Sequence, residues 1–238
     1  MISAGKLILI PAPLGDDAVE AVIPAGTLDA MRTIRHFVVE ELRTARRYLS
    51  RANIGVPIDS LTFFELNEHT PAAQDLSPYL QPAVDGLPVG LVSEAGVPAV
   101  ADPGARLVKL AHETNIEVVP LVGPSSILLA LMASGLNGQC FAFAGYLPVK
   151  PPERQQRLRM LEKQSAARHE TQIFIETPYR NEALLHDVLT VCRPDTLLCI
   201  AANLTQPDAF IKTACVGEWR NRPAPPLRKK PCVFLLMS

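Results

Sequence analysis

The 238-residue chain reads as an α/β protein made of two α/β domains, residues 1–122 and 123–238. Three observations predict this. Short apolar runs alternate with helix-like stretches as far as Leu121, the rhythm of a mainly parallel sheet. A proline-rich break, Pro148 to Pro152, separates that stretch from a second series of strands and helices. The apolar share of 48% is ample for a sizeable core, and with aromatics at only 5% that core is built mainly of Leu, Val, Ile and Ala.

The first strand is Lys6 to Ile10, a continuous apolar run that suits a strand buried on both faces. Pro11-Ala-Pro-Leu-Gly15 ends it abruptly. Phe37 to Val39 is a second short strand, feeding a predicted helix over residues 40–52. Leu42, Ala45, Tyr48 and Leu49 share one side of that helix, and Arg43, Arg46, Arg47 and Arg51 the other. Leu61 to Phe64 and Val89 to Val92 are further strands. Asp102-Pro103 opens a helix, with Asp able to cap free amides and Pro suited to the first helical position. Ile116 to Leu121 is the next strand. Ser125 to Ser134 is apolar nearly all round, which predicts a buried helix stopped by Gly135. Beyond the proline break come a charged helix, Glu153 to Arg168, and three strands at Ile173–Ile175, Leu197–Ala201 and Cys232–Met237.

Several function classes are disfavoured. The formal net charge is −1, so the whole chain does not steer toward nucleic acid by charge alone. The five cysteines form no C-x-x-C pair, and no signal peptide precedes the strand-like start from Met1 to Ile10. That combination predicts buried thiols in a reducing cytoplasm. No apolar run reaches the roughly 18 residues that cross a bilayer, and no cluster of metal-ligand spacing occurs. Prolines, not G-x-G-x-x-G, follow the first strand, and no G-x-x-x-x-G-K-[ST] is present. A ligand with a diphosphate is therefore not expected.

Two loops are natural site walls, because ligands collect at the carboxyl ends of parallel strands. In Ser93 to Gly104, Gly96 permits close backbone approach, and Pro98 and Pro103 stiffen the loop. Gly123-Pro-Ser-Ser126 offers hydroxyls and free amides at a helix start. In local terms alone, either loop also reads as a connector with a helix cap, Asp102 and Ser125 being the capping residues.

Seven pieces then occur in a recognisable order: Pro13-Leu-Gly15, Glu40-Glu-x-Arg43, Asn67-Glu68, Ser93 to Gly104, Gly123-Pro-Ser125, Gly145-Tyr-Leu-Pro148 and Glu176-Thr-Pro178. Together they resemble the ribosomal RNA small subunit methyltransferase I family of the tetrapyrrole-methylase superfamily. The resemblance implies a mixed C-terminal sheet beside the parallel N-terminal one, with S-adenosylmethionine in a cleft between the domains of each subunit of a homodimer. Carried over, Pro13, Leu14, Glu94, Ala95, Gly96, Val97, Ser125, Ser126 and Leu147 would contact that cofactor. Glu40, Glu41, Arg43, Glu68 and Glu176 are the candidates for catalytic work, with His69 beside them. Glu40 and Glu41 read equally well as acids favoured at a helix start. The chain departs from the family at Glu41-Leu42, Leu66, Glu94 and Ala202-Asn-Leu-Thr-Gln206, where the family has Asp-Thr, His, Asp and Arg-Glu-Leu-Thr-Lys.

The expected acceptor is a ribose hydroxyl of small-subunit ribosomal RNA. Three basic clusters favour it: Lys150, Arg154, Arg157, Arg159, Lys163 and Arg168; Arg220, Arg222, Arg228, Lys229 and Lys230; and the arginine side of the helix over 40–52. Tyr146 and Tyr179 are candidates to stack a base. Two alternatives stand beside it. One is methylation of a small molecule such as a tetrapyrrole; the other is a cofactor-binding protein with a decayed site.

Overall fold

The structure is a computed structural model that describes residues 5–238. The first four residues of the strand-like start lie outside the described residues. The chain divides into two compact units, the first ending at Ser125 and the second running Ser126–Ser238.

In the first unit, five strands are joined through helices: β1 (Lys6–Ile10), β2 (His36–Val39), β3 (Thr62–Glu65), β4 (Val89–Val92) and β5 (Glu117–Pro120). They form one sheet in the order β3-β2-β4-β1-β5, and every pairing is parallel. Side chains alternate between two cores. Ile8, Ile10, Phe37, Val39 and Val92 face one cluster, and Leu7, Val38, Val89 and Leu91 face the other. The first cluster is closed by α1 (Val19–Val22), α2 (Ala25–Met31) and α3 (Leu42–Arg51). The second is closed by α4 (Ser77–Val84) and α5 (Gly104–Glu113). Each fully buried Leu, Ile or Phe contributes about 1.5–3 kcal/mol relative to exposure.

The helix expected over 40–52 begins at Leu42, because the Glu41 side chain takes the amides of Arg43 (3.0 Å) and Thr44 (2.6 Å) and so caps it. Ala45, Tyr48 and Leu49 are buried, as the spacing requires. Asp102 likewise accepts from the Gly104 amide at 2.7 Å, so α5 starts one residue beyond Pro103.

The second unit holds α6 (Ser126–Ser134), β6 (Phe141–Tyr146), α7 (Pro151–Arg168), β7 (Thr171–Glu176), α8 (Asn181–Val191), β8 (Leu197–Ala202), β9 (Phe210–Cys215), α9 (Val216–Arg220) and β10 (Cys232–Met237). Its sheet has the order β6-β7-β10-β8-β9. Only the β6–β7 pairing is parallel, so this sheet is mixed. Phe174 and Phe234 stack at 5.8 Å in the middle of the core.

The expectation of a buried helix at Ser125 to Ser134 fails in part. Only Ala130, Leu131 and Ser134 of α6 are buried, and Met132 is 79% exposed. The helix meets the sheet along one stripe, and its apolar composition exceeds what that stripe uses. The expectation of buried thiols holds for Cys192, Cys199 and Cys232, while Cys140 and Cys215 are half-buried. No helix among the described residues is long and apolar enough to cross a membrane.

Candidate active site

Five parallel strands present their carboxyl ends along one edge of the first unit, and three of the loops leaving them are clasped together there. Ala12, after β1, and Gly96, after β4, form an antiparallel bridge. The Ala12 amide donates to the Gly96 carbonyl at 2.8 Å, and the Gly96 amide returns a bond to the Ala12 carbonyl at 3.0 Å. Gly96 has φ +74, and an added Cβ would stand 3.3 Å from Leu14 Cδ2 and 3.6 Å from the Pro124 carbonyl oxygen. At Gly123 a Cβ would lie only 2.2 Å from Pro11 Cγ, so that loop approaches β1 as closely as a glycine allows. Connections from the neighbouring strands β1 and β4 leave toward opposite sides of the sheet, a topology that places ligands at the strand ends.

Tyr48 fixes this edge from below. Its hydroxyl donates to the Pro11 carbonyl at 2.8 Å, and burial pushes its acidity well out of the usual tyrosine range. A small recess of about 60 Å3 opens beside it, bounded by Ala12, Pro13, Thr44, Tyr48, Ser93 and Glu94. Pro13, Leu14, Glu94, Ala95, Gly96 and Val97, expected to contact the cofactor, thus belong to two loops that the structure brings together. Ser125 ends the third loop at the limit of the first unit.

Carboxylates gather at the same edge. Glu40 is half-buried, and its Oε2 accepts from the Glu94 amide at 3.1 Å. Burial raises its pKa above the ordinary value; the Glu94 amide opposes this, and the charges of Asp102 and Glu68 add to the rise. Glu94 is raised by loss of surrounding water, then by Glu40 and Glu41. Asp102 is raised by burial, although the amides of Gly104, Ala99 and Val100 act the other way. Its Oδ2 is buried with no hydrogen-bond partner among the described residues. Glu41 behaves oppositely: hydrogen bonds from Thr44 and the Arg43 amide hold it below its ordinary value. Glu41 is a helix cap, and the capping reading of this residue fits the geometry better than acid–base work.

Glu68 is exposed, 3.7 Å from His69, and Arg43 is exposed in the first turn of α3. Ser126, Leu147 and Glu176 belong to the second unit. Ser126 begins α6, and the Leu147 side chain is buried in that unit's core, leaving its backbone as the part that could meet a ligand. Glu176 is buried at the end of β7, where Oε1 accepts from the Thr177 amide at 2.7 Å and from Arg180 at 2.6 Å. Those bonds make it an anchor for the turn into α8.

The basic clusters need correction. Arg154 is buried in an ion pair with Asp187, its Nε donating to Oδ2 at 2.6 Å, and cannot reach a phosphate. Arg220 spends its guanidinium on the carbonyls of Leu189 (2.8 Å) and Cys192 (2.7 Å). Lys230 pairs with Asp208 at 2.8 Å. On α3, Arg46 pairs with Asp59, and Arg47 and Arg51 lie against Asp16. Sequence spacing identified the cations but not these distant acids. Arg159, Lys163 and Arg168 stay on the surface of α7. Tyr146 and Tyr179 are exposed at 56% and 77%.

No family profile matches the sequence. The chain is 33% identical over 200 residues to ribosomal RNA small subunit methyltransferase I of Vibrio cholerae, covering 84% of this chain and 65% of that protein. It is 32% identical over 216 residues to the protein of the same name in Escherichia coli O157:H7, covering 91% of this chain and 71% of the relative. The chain belongs to the ribosomal RNA small subunit methyltransferase I family. It spans about two thirds of the length of these relatives. The crystal structure of the methyltransferase CobJ superposes with a TM-score of 0.64 at 20% identity, over 99% of this chain and 95% of that one. The two chains share one α/β fold, which here is a parallel sheet followed by a mixed sheet. In this member of the ribosomal RNA small subunit methyltransferase I family, the clasped loops of the first unit carry Pro13, Leu14 and Glu94 to Val97.

The residues at this edge suit a sulfonium nucleoside. Four carboxylates, Glu40, Glu68, Glu94 and Asp102, interact electrostatically, and no cation is paired with Glu40, Glu94 or Asp102 among the described residues. A positively charged ligand would relieve their repulsion. Backbone groups of the Gly/Pro loops offer hydrogen bonds without demanding a phosphate.

Proposed function

We propose that this chain transfers a methyl group from S-adenosylmethionine to a ribose hydroxyl of small-subunit ribosomal RNA. One observation carries the reading: the family motifs Pro13-Leu-Gly15 and Ser93 to Gly104 lie on two loops locked to each other by the Ala12–Gly96 bridge, beside Glu40. Bound S-adenosylmethionine supplies an electrophilic methyl carbon on a positively charged sulfur. Pro13, Leu14 and the backbone from Glu94 to Val97 hold it, with Ser125, Ser126 and Leu147 as further contacts from the family resemblance.

The chain's own residues have two tasks. The rigid loops orient the reacting atoms, and positioning of that kind lowers a barrier by roughly 7–11 kcal/mol. Glu40 takes the proton that the acceptor hydroxyl loses, since a half-buried carboxylate with a raised pKa is a stronger base than an exposed one. Arg43 and Glu68 are exposed in the segments that follow the paired strands β2 and β3, and in this reading they meet the RNA rather than take the proton. Glu176 serves the site indirectly, by fixing the turn after β7. The proposal includes a homodimer in the cytoplasm; exposed Leu128 and Met132 on α6 are apolar enough to join such a contact.

The test is incorporation of tritiated methyl groups into small ribosomal subunits that lack the modification. The expected result is incorporation at ribose, lost in Glu40→Gln. Absence of incorporation by protein that binds S-adenosylhomocysteine in a calorimeter would overturn the RNA reading. A specific observation favours one alternative, a small-molecule acceptor: internal acids neutralise or bury much of the basic surface expected from sequence. Turnover of a tetrapyrrole in the same assay, with none on subunits, would select it.

A further inference from the structure

The second unit carries a pocket that none of the family motifs touches. It lies at the sheet edge strand β9, beside α9 and the loop over residues 221–231, with a volume of about 300 Å3. Phe210, Trp219, Pro223, Pro225 and Pro226 line it, and Lys212 and Arg222 complete the lining. Such a volume is at the lower end of the range for small-molecule sites.

We propose that this pocket takes an unstacked nucleobase of single-stranded RNA, with the neighbouring phosphate on Lys212 and Arg222. The inference rests on the reading of RNA as the protein's substrate. Its own support is chemical. Phe210 and Trp219 meet edge-on, with ring centroids 6.5 Å apart, so two π systems border one space. The Trp219 ring is locked, because its Nε1 donates to the Leu198 carbonyl at 2.9 Å. Proline rings in the lining are rigid and carry no amide hydrogen, so the wall is preformed and asks for no polar partner. A flat heterocycle satisfies a rigid aromatic and proline surface through its π face, independently of base identity.

Charge at the rim selects an anion. Lys212 is exposed and has no ion-pair partner among the described residues. Arg222 shares its guanidinium with Glu218 at 2.7 Å, and its side chain remains 44% accessible. Two cations against one acid leave a positive balance beside an apolar slot. A proline-rich peptide is the competing occupant for a surface of this composition. Recognition of a polyproline helix ordinarily uses an aromatic groove with a donor for the ligand's carbonyls. The one aromatic donor in this lining, the indole N–H of Trp219, is already committed to Leu198, while Lys212 and Arg222 bring a charge that a neutral peptide does not use.

Trp219 is the single tryptophan of the chain and part of this pocket's wall, so its fluorescence responds to an occupant. The 238-residue chain is titrated with a single-stranded oligoadenylate, and separately with a proline-rich peptide. The expected result is saturable quenching by the oligonucleotide and none by the peptide. Phe210→Leu keeps the apolar volume and removes a stacking face, and weakens the apparent affinity by at least ~5-fold. Lys212→Gln, a surface change that leaves folding intact, weakens binding and lowers the steepness of its salt dependence by about one phosphate contact. Quenching by the peptide instead, or quenching untouched by both substitutions, or no quenching at all, overturns the proposal. None of these readouts depends on methyl transfer. Quenching without methylation of ribosomal subunits therefore removes the substrate reading and keeps the pocket, and methylation without quenching does the reverse.

Discussion

Ala12 and Gly96 exchange two backbone hydrogen bonds, 2.8 and 3.0 Å long, and so join the loops that leave two neighbouring parallel strands. Parallel strands pair along their length, but nothing in a sheet obliges the loops beyond them to pair. The bridge demands a residue at φ +74, which glycine adopts without cost.

Gly96→Ala tests that demand. An L-residue in the left-handed region costs about 1–2 kcal/mol, and the new Cβ would press on Leu14 Cδ2 at 3.3 Å. The expected outcome is a loss of about that size in chemical denaturation, with a several-fold weaker heat signal for S-adenosylhomocysteine. Unchanged stability together with unchanged binding would show that the bridge does not organise the site.

Glu40→Gln separates charge from shape. The wild-type carboxyl has a folded-state pKa raised above its ordinary value of 4.5, chiefly by burial. Between those two values the native state holds a proton that the unfolded chain has released. Stability therefore falls as pH rises through that window. The glutamine variant, still able to accept from the Glu94 amide, is expected to be more stable than wild type at pH 7. Its advantage should shrink as pH falls toward 4.5, which denaturant midpoints measured across that range would reveal. An advantage that does not vary with pH would contradict the assignment.

How much of this was legible in the sequence depends on what kind of signal each feature leaves. Continuous apolar runs such as Lys6–Ile10 and Val89–Val92 announced the buried strands, and the side-by-side placement of Ala45, Tyr48 and Leu49 announced α3. Strand β9 was missed, because an edge strand that reads Phe-Ile-Lys-Thr-Ala-Cys has no clean alternation and no full burial. The ordered motifs located Pro13 and Gly96 at strand ends, yet only the fold could show that their two loops are joined, through Ala12 and Gly96. Long-range pairing left no local mark at all: Arg154 reads as one more cation in a charged helix until Asp187, 33 residues on, is found beside it. The same holds for Asp16 and the α3 arginines.

That hidden pair makes its own prediction. Both side chains of Arg154 and Asp187 are almost wholly buried, and Gln155 adds a bond to Asp187 Oδ1 at 2.8 Å. Removing one partner leaves a charge in the core, which costs about 3–5 kcal/mol. Arg154→Ala should therefore lower the denaturation midpoint sharply, whereas Arg154→Met combined with Asp187→Leu should recover most of the loss. A small effect from the single substitution would mean that water reaches the pair and that Arg154 is free for a phosphate after all.

The buried thiols give the last prediction. Burial pushes Cys192 and Cys232 up to about 12, and Cys199 is raised by burial as well. A raised thiol keeps its proton in the native state while the unfolded chain loses it above its ordinary value of 9.0. Stability must then fall as pH climbs from 9.0 toward 12, each thiol steepening the decline by at most about 1.4 kcal/mol per pH unit. Replacing Cys192 with Ala should flatten the curve between those limits, at the expense of a small cavity at every pH. Labelling separates the same groups. At pH 8 a disulfide reagent should react with half-buried Cys140 and Cys215, and with the other three only once denaturant opens the sheet. Rapid labelling of Cys192 in the native protein would mean that the core formed by α7, α8 and β8 opens far more readily than its packing implies.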